Sequence, residues 1–194
     1  MDILFMSPYK DERSSAFEQC FLATGDNFER TEDRIDVEFL RKFDLGVSYG
    51  YRHILPQEAL DICPIINCHI SYLPWNRGAD PNVWSWIEGT PKGVSIHYMD
   101  RGIDTGPIIC QKLTDMDDSE TLSSSYKKLS RDMVALFVER WPEMRSNQLI
   151  PVPQNSKGTF HLIKHREKIS HILEKGNDVP IKSIIRRVHS GAPS

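Results

Sequence analysis

A short apolar run that ends in two polar side chains constrains this chain more than any other feature. Ile65 and Ile66 lead directly into Asn67, Cys68 and His69. An apolar run of this kind indicates a buried strand of an α/β sheet. Side chains two apart on a strand point to the same face, so Asn67 and His69 are predicted to project together. They would do so at the carboxyl end of the strand, where open α/β sheets bind ligands.

The residue types at this strand end suit acyl transfer to an external amine. A neutral histidine exchanges protons near pH 7, and an Asn amide donates to an oxygen that becomes negative in a transition state. Asp104, in a later Asp-Thr-Gly turn, would hold the imidazole of His69 and stabilise its charged form. Asn-x-His alone is a weak signal, because a structural histidine with satisfied hydrogen bonds is the more common outcome.

The remainder of the chain predicts an α/β fold. Residues 2–6 are apolar and indicate a first, buried parallel strand, and no Gly-x-Gly-x-x-Gly follows them, which argues against a nicotinamide cofactor. Residues 24–36 are polar and are interpreted as a loop. Apolar residues at helical spacing predict a long amphipathic helix that ends near Pro142. Residues 160–175 are expected to hold a further helix.

Composition excludes several classes of protein. A chain of 194 residues is long enough for one domain with its own core. The net charge of −3 argues against tight nucleic-acid binding. No apolar stretch reaches the length of a membrane span, and no signal peptide is visible. The four cysteines form no Cys-x-x-Cys pair and are typical of reduced cysteines in a cytoplasmic protein. No cluster has metal-ligand spacing, so no metal is expected.

Four motifs in a fixed order resemble the folate-dependent formyltransferase family. They are Asn67-Cys68-His69, Leu73-Pro74-Trp75-Asn76-Arg77-Gly78, Gly93-Val94-Ser95-Ile96-His97 and Asp104-Thr105-Gly106. The family includes glycinamide ribonucleotide transformylase, methionyl-tRNA formyltransferase, sugar-amine N-formyltransferases and the formylation domains of some peptide synthetases. The resemblance covers roughly residues 1–153. The sequence around the second motif most resembles that of the enzymes that formylate amino sugars attached to nucleotides.

The resemblance implies a Rossmann-like formyltransferase core. The sheet would be mostly parallel with flanking helices, and the N-terminal part would be trimmed. Residues 1–150 would form the catalytic core and residues 151–194 a short C-terminal extension, with disorder expected from Ser190 onward. The implied reaction transfers a formyl group from the co-substrate 10-formyltetrahydrofolate to a primary amine, above all that of a nucleotide-linked amino sugar. A homodimer is also expected.

The resemblance assigns roles to individual residues as well. The catalytic set is Asn67, His69 and Asp104. The predicted folate-binding residues are Tyr49, Gly50, Tyr51, Arg52, His53, Ile54, His97 and Asp100. The predicted substrate-binding residues are Trp75, Asn76, Arg77, Gly78 and Asp80. The structural alternatives are that Arg77 fixes its own loop and that Asp100 only shapes a turn. Trp84 is expected to pack inward, with Trp86 partly exposed.

Other functions stay open at this point. A formylation module of a peptide synthetase would act on a carrier-bound aminoacyl group. A formyltetrahydrofolate hydrolase uses a similar Asn-His-Asp set with water as the acceptor. A non-catalytic binding protein of this fold is a third alternative. Methionyl-tRNA formyltransferase is disfavoured, because its members carry a C-terminal domain for tRNA while this chain is shorter and not basic.

Overall fold

The structure of the protein is a computed structural model, and a six-stranded mixed sheet forms its centre. The structure describes residues 1–170, 176 and 178–190. The strands of the sheet are β1 (Asp2–Met6), β2 (Asn27–Thr31), β3 (Leu45–Ser48), β4 (Ile65–His69), β6 (Gly93–Tyr98) and β7 (Ile108–Leu113). A separate pair consists of β5 (Arg77–Gly78) and β8 (Phe160–His161).

Five helices of the described residues flank these strands. They are α1 (Glu12–Ala23), α2 (Gln57–Ile62), α3 (Pro81–Ile87), α4 (Leu122–Arg145) and α5 (Ile181–Ser190), with 3₁₀ helices at Glu38–Lys42 and Ile163–Ile169. The long helix α4 begins where the sequence supplies a reciprocal cap. The Thr121 side chain accepts from the Ser124 backbone N–H, and the Ser124 hydroxyl accepts from the Thr121 N–H.

The sheet has the order β2-β1-β3-β4-β6-β7. The first four strands in the chain run parallel, whereas β6 and β7 are antiparallel to their neighbours. The carboxyl ends of β1, β3 and β4 therefore lie along one edge, and this edge carries the polar residues that follow them. The predicted α/β class, with a mostly parallel sheet and flanking helices, is confirmed.

Both faces of the sheet are covered, as the apolar strand sequences require. Ile3 and Phe5 of β1 pack with Phe17 of α1 and Phe137 of α4 on one face. Leu4 and Met6 point to the other face, into a cluster with residues of α2 and the first 3₁₀ helix. The alternation along β1 places the helices α1 and α4 together on the first of these faces.

Two local predictions are wrong. Residues 24–36 contain β2, which the sequence hides because an edge strand of alternating half-buried and exposed residues has no apolar run. Trp86 is buried like Trp84, because α5 and the second 3₁₀ helix cover both indole rings. The residues that cover this helix come from much later in the chain, so the seven residues of α3 alone do not reveal the cluster.

The chain after α4 returns to the strand-end edge of the sheet. Val152 and Ile108 exchange two backbone hydrogen bonds of 2.8 Å, and β8 then pairs in parallel with β5. Residues 152–161 thus lie beside the loops that follow β4 and β6. The helix expected over residues 160–175 is replaced by β8 and a 3₁₀ helix up to Ile169. Residues 171–175 and the predicted disordered end, 191–194, lie outside the described residues.

None of the helices that the structure describes is long and apolar enough to cross a bilayer.

Candidate active site

A row of polar side chains crosses the sheet at the carboxyl end of β4. In the strand register, Asn67 pairs with Ser48 of β3 on one side and with His97 of β6 on the other. Residues in register on neighbouring strands point to the same face. Their side chains therefore meet, and His69, two residues after Asn67, reaches the same group of residues.

The Asn67 amide is bound on both sides. Its Nδ2 lies 3.0 Å from Oδ1 of Asp104 and 3.3 Å from Nε2 of His97. A carboxylate only accepts hydrogen bonds, so the nitrogen of the amide has to face Asp104. The amide oxygen then accepts a hydrogen bond of 3.0 Å from the Ser48 hydroxyl. Asn67 is thereby held with its donor side toward Asp104 and His97.

Asp104 is the buried charge of the site. It lies in the loop between β6 and β7 with a left-handed φ of 54°, and its Oδ2 accepts a hydrogen bond of 2.7 Å from the Gly78 N–H. Burial acts to raise the pKa of this carboxyl, but the charge of His69 and the hydrogen bond from the Gly78 N–H hold the pKa well below its ordinary value. Asp104 is therefore ionised at neutral pH.

His69 is oriented by its two ring nitrogens. Nε2 lies 3.1 Å from the carbonyl oxygen of Asn76, which only accepts, so Nε2 carries a proton. Nδ1 faces Oδ2 of Asp104 at 3.6 Å. In the neutral ring Nδ1 is the basic nitrogen, and a proton taken up there is stabilised by the Asp104 charge.

His97 completes the group from the neighbouring strand. Its Nδ1–H donates to the Tyr98 carbonyl oxygen at 2.7 Å, so Nε2 of the neutral ring accepts from Asn67. Nε2 also lies 3.4 Å from Oδ1 of Asp104. The side chain is almost fully buried. The prediction placed His97 among the folate-binding residues, whereas the structure places it against the Asn67 amide and the Asp104 carboxylate.

Gly78 connects the site to the small β5–β8 pair. Its φ is 86°, and a Cβ at this position would overlap the carbonyl oxygen of His161 on β8. Its N–H is also the donor to Asp104. Glycine is therefore required here for strand pairing and for holding the carboxylate. The role predicted for Gly78, close approach to a substrate, stays a prediction.

Gly78→Ala is expected to destabilise the protein by more than the ~1–2 kcal/mol that a left-handed non-glycine residue costs, because the new Cβ also overlaps β8. The check is urea unfolding of the variant. Gly89→Ala is the matched control, since Gly89 also has a left-handed φ of 64° but nothing lies within 4 Å of the added Cβ. Equal destabilisation by the two substitutions would contradict a role of Gly78 in the β5–β8 contact.

The other predicted substrate-binding residues are mostly engaged by the protein. The contact of Asn76 with substrate stays a prediction, and its side chain is fully buried and bonds to Glu88, Thr90 and Thr159. Its main chain orients His69. Asp80 forms a two-point ion pair with Arg166.

Arg77 and Trp75 differ in whether the protein itself engages the side chain. The guanidinium of Arg77 bonds to Gln154 and Lys157, which agrees with the loop-fixing alternative. Trp75 is half-buried and follows the cis Leu73-Pro74 bond. It stays a candidate for substrate contact.

The predicted folate loop follows β3, next to Asn67. Gly50 has a left-handed φ of 72° and packs against the ring of Tyr9, and Tyr51 donates to the Asp33 carbonyl oxygen at 2.7 Å. The Tyr49 ring belongs to the core, where it stacks on Phe17. The loop therefore offers its main chain, the exposed side chains of Arg52 and Ile54, with Ile54 86% exposed, and the half-buried side chain of His53.

Asp100 shapes a turn. Its Oδ1 accepts from the Gly102 N–H at 3.0 Å and from the Thr105 hydroxyl at 2.6 Å, and it lies exposed. The structure therefore agrees with the alternative that Asp100 only builds the loop that carries Asp104. Within the described residues, no group of three or more His, Cys, Asp or Glu side chains is arranged to hold a metal ion.

Two residues of the site have no signal in the sequence. Gln154 donates to the carbonyl oxygens of Asp104 and Gly106, and Thr159 accepts from the Asn76 N–H at 2.8 Å. Both follow the predicted boundary at residue 150. The segment after that boundary therefore forms part of the site.

A sequence profile described as formyl transferase matches residues 21–140. The chain belongs to the formyltransferase family. Its fold is similar to the formyltransferase PseJ from Anoxybacillus kamchatkensis, with a TM-score of 0.88 and 36% identity over 97% of this chain and 100% of that one. That structure contains UDP-4,6-dideoxy-4-formamido-L-AltNAc and tetrahydrofolate. The sequence resemblance to folate-dependent formyltransferases is confirmed at the level of the family.

Curated members of the family match part of their length. Methionyl-tRNA formyltransferase from Thermodesulfovibrio yellowstonii is 39% identical over 70% of this chain and 43% of that protein. The dTDP-4-amino-4,6-dideoxyglucose formyltransferase of Mycobacterium tuberculosis H37Rv is 28% identical over 70% of this chain and 58% of that protein. The chain spans about two fifths to one half of the length of the methionyl-tRNA formyltransferases that it matches.

Proposed function

We propose that this chain transfers a formyl group from 10-formyltetrahydrofolate to the amino group of a nucleotide-linked amino sugar. The observation that carries the proposal is the match to PseJ, which runs through the whole of that chain at 36% identity. A formamido sugar nucleotide and tetrahydrofolate, the two molecules named with PseJ, are the products such a transfer would give. The arrangement of Asn67, His69 and Asp104 supplies groups that suit the reaction.

The formyl donor fits the edge where these groups lie. The loop after β3 is adjacent to Asn67 through Ser48, and it presents an 86% exposed Ile54 beside main-chain groups. A flat pteridine ring needs an apolar wall and backbone partners of this kind. When bound, 10-formyltetrahydrofolate supplies an electrophilic formyl carbon and a nitrogen that leaves. Tyr49, Gly50, Tyr51, Arg52, His53 and Ile54 remain the proposed contacts for this co-substrate.

The proposed reaction begins with attack of a neutral amine on the formyl carbon. Negative charge develops on the formyl oxygen, where Asn67 and the protonated form of His69 stabilise it. Both N–H groups of Asn67 face partners in this structure, so the longer contact, 3.3 Å to His97, is the one released toward the substrate.

His69 then moves a proton as the carbon–nitrogen bond to folate breaks. The amine loses one proton, and the leaving nitrogen gains one. Nδ1 of His69 is the nitrogen that exchanges it, because Nε2–H is bonded to the Asn76 carbonyl. Asp104, ionised beside Nδ1, stabilises the charged imidazole.

The test is a mass-spectrometric acceptor screen with 10-formyltetrahydrofolate. The panel contains UDP- and dTDP-linked 4-amino-4,6-dideoxy sugars, methionyl-tRNA and a carrier-bound aminoacyl thioester. A gain of one formyl group on a sugar nucleotide is the expected result. Formylation of only the tRNA or only the thioester would overturn the proposed acceptor, and formate alone would indicate a hydrolase.

Methionyl-tRNA is included because three methionyl-tRNA formyltransferases are 36–39% identical to this chain in the matched segments. The chain covers 39–43% of the length of these proteins, whereas it covers 100% of PseJ. The extent of the match therefore favours the sugar nucleotide. A homodimer and a cytoplasmic location stay predictions.

A further inference from the structure

The side-chain amide of Gln154 joins two loops of the site. Its Nε2 donates to the carbonyl oxygens of Asp104 at 3.0 Å and Gly106 at 2.7 Å. Its Oε1 accepts from Nε of Arg77 at 3.1 Å and from Nη2 at 2.7 Å. An amide has two N–H donors and two acceptor sites on oxygen, so all of its hydrogen-bonding capacity is used within the protein.

Arg77 holds this amide from the other side. Its Nη1 donates to the Lys157 carbonyl oxygen at 3.2 Å, so the guanidinium is fixed to the segment that carries Gln154. The next residue, Gly78, donates its N–H to Oδ2 of Asp104. The short strand β5 therefore holds Asp104 in two ways. Gly78 binds the carboxylate of Asp104 directly, and Arg77 acts on the main chain of Asp104 through Gln154.

Asp104 is a residue whose position needs support. Its left-handed φ of 54° is unfavourable for a residue with a Cβ and persists where the surroundings fix it. Residues 101–103 of the same loop are exposed, so they supply little packing. The hydrogen bonds from Gln154 fall on both sides of the turn, at residues 104 and 106.

We propose that Gln154 is a positioning residue for Asp104, which holds the carboxylate against His69 and Asn67, and that Arg77 anchors Gln154 for this task. The inference rests on the proposed function, in which Asp104 stabilises the charged form of His69. The Gln154 amide is fully engaged within the protein, so its effect passes through the loop of residues 104–106.

Gln154→Glu is the sharpest variant. It keeps the length of the side chain and an acceptor for Arg77, but it removes both donors and places a negative oxygen against two carbonyl groups. Displacement of a catalytic group by about 1 Å costs up to roughly 100-fold in rate, so kcat is expected to fall by about 10- to 100-fold. The KM for the formyl donor is expected to stay near the wild-type value.

Two comparisons separate positioning from a general structural effect. Gln148→Glu makes the same change at an exposed glutamine beyond α4 and should retain wild-type kcat. In an Asp104→Asn background, Gln154→Glu should add less than about two-fold, since residues that act through one another are not additive. Single-turnover assays with long incubation measure the slow variants.

A kcat for Gln154→Glu within two-fold of wild type would overturn the proposal, and so would an undiminished effect in the Asp104→Asn background. If Gln154→Glu does not fold, Gln154→Met removes the same donors without adding charge and carries the same expectations. An active wild type with an equally active Gln154 variant counts against the positioning role alone. A wild type that formylates no amine would overturn this role together with the proposed function.

Discussion

Replacement of His69 by alanine is expected to lower formyl transfer by about 10²- to 10⁴-fold, the range that a general acid–base group contributes. The imidazole is held between the Asn76 carbonyl and the Asp104 carboxylate, and in the proposed reaction its Nδ1 takes up and releases the proton. The measurement is kcat with saturating formyl donor and the best sugar-nucleotide acceptor, together with a circular dichroism spectrum to establish that the variant is folded.

A glutamine at the same position separates the chemical role from the structural one. His69→Gln keeps an N–H donor for the Asn76 carbonyl but cannot titrate. It should be as inactive as His69→Ala and more stable to urea. Recovery of near-wild-type turnover in His69→Gln would mean that His69 only supports the loop of Asn76, and the assignment of a proton-transfer role would be withdrawn.

Asp104→Asn is expected to have an effect of similar size, on the order of 10²- to 10⁴-fold in kcat. The substitution keeps an oxygen for the Gly78 N–H but removes the negative charge that stabilises protonated His69. In the proposed reaction the charged form of His69 also stabilises the developing oxyanion, so loss of the carboxylate would weaken both proposed roles of His69. KM for the acceptor should change much less than kcat.

Asp100→Asn is the matched control for this prediction. Asp100 lies in the same loop, is exposed, and bonds to the turn through Gly102 and Thr105. An asparagine oxygen still accepts these hydrogen bonds, so turnover should stay close to wild type. Equal losses in the two variants would show that the loop conformation, and not the charge of Asp104, is what the reaction needs.

Local sequence patterns predicted the parts of the site that lie on one strand or in one turn. Asn67 and His69 share a face because they are two apart on β4, and that geometry follows from the strand period alone. Asp104 was predicted to belong to the site from its Asp-Thr-Gly turn and from the family resemblance. The apolar runs likewise located β1 and β4, because strands buried on both faces read as continuous apolar sequence.

The remaining parts of the site depend on contacts between distant segments. Gln154 reaches Asp104 across 50 residues, and Thr159 reaches Asn76 across 83, through the pairing of β8 with the two-residue strand β5. No periodicity marks a strand that short. Asn76 orients His69 through its main-chain carbonyl, and the identity of a side chain does not predict a contact made by the main chain.

His97 shows a limit of a different kind. Alternation along β6 puts His97 on the opposite face of the strand from Val94, Ile96 and Tyr98, and the resemblance suggested a contact with folate. Its place beside Asn67 follows from the antiparallel register of β4 and β6, which pairs the two residues directly. Register between strands that are not joined by a hairpin cannot be read from either strand alone.

The central claim, transfer of a formyl group to a sugar amine, is tested most directly by following the formyl carbon itself. The protein is mixed with 10-formyltetrahydrofolate labelled with ¹³C in the formyl group and with a UDP-linked 4-amino-4,6-dideoxy sugar, and the label is followed by NMR. The proposal predicts that the label appears as a formamide on the sugar nucleotide, at a rate that depends on His69 and Asp104. Label that appears only as formate, or stays on folate with every sugar nucleotide offered, would contradict it.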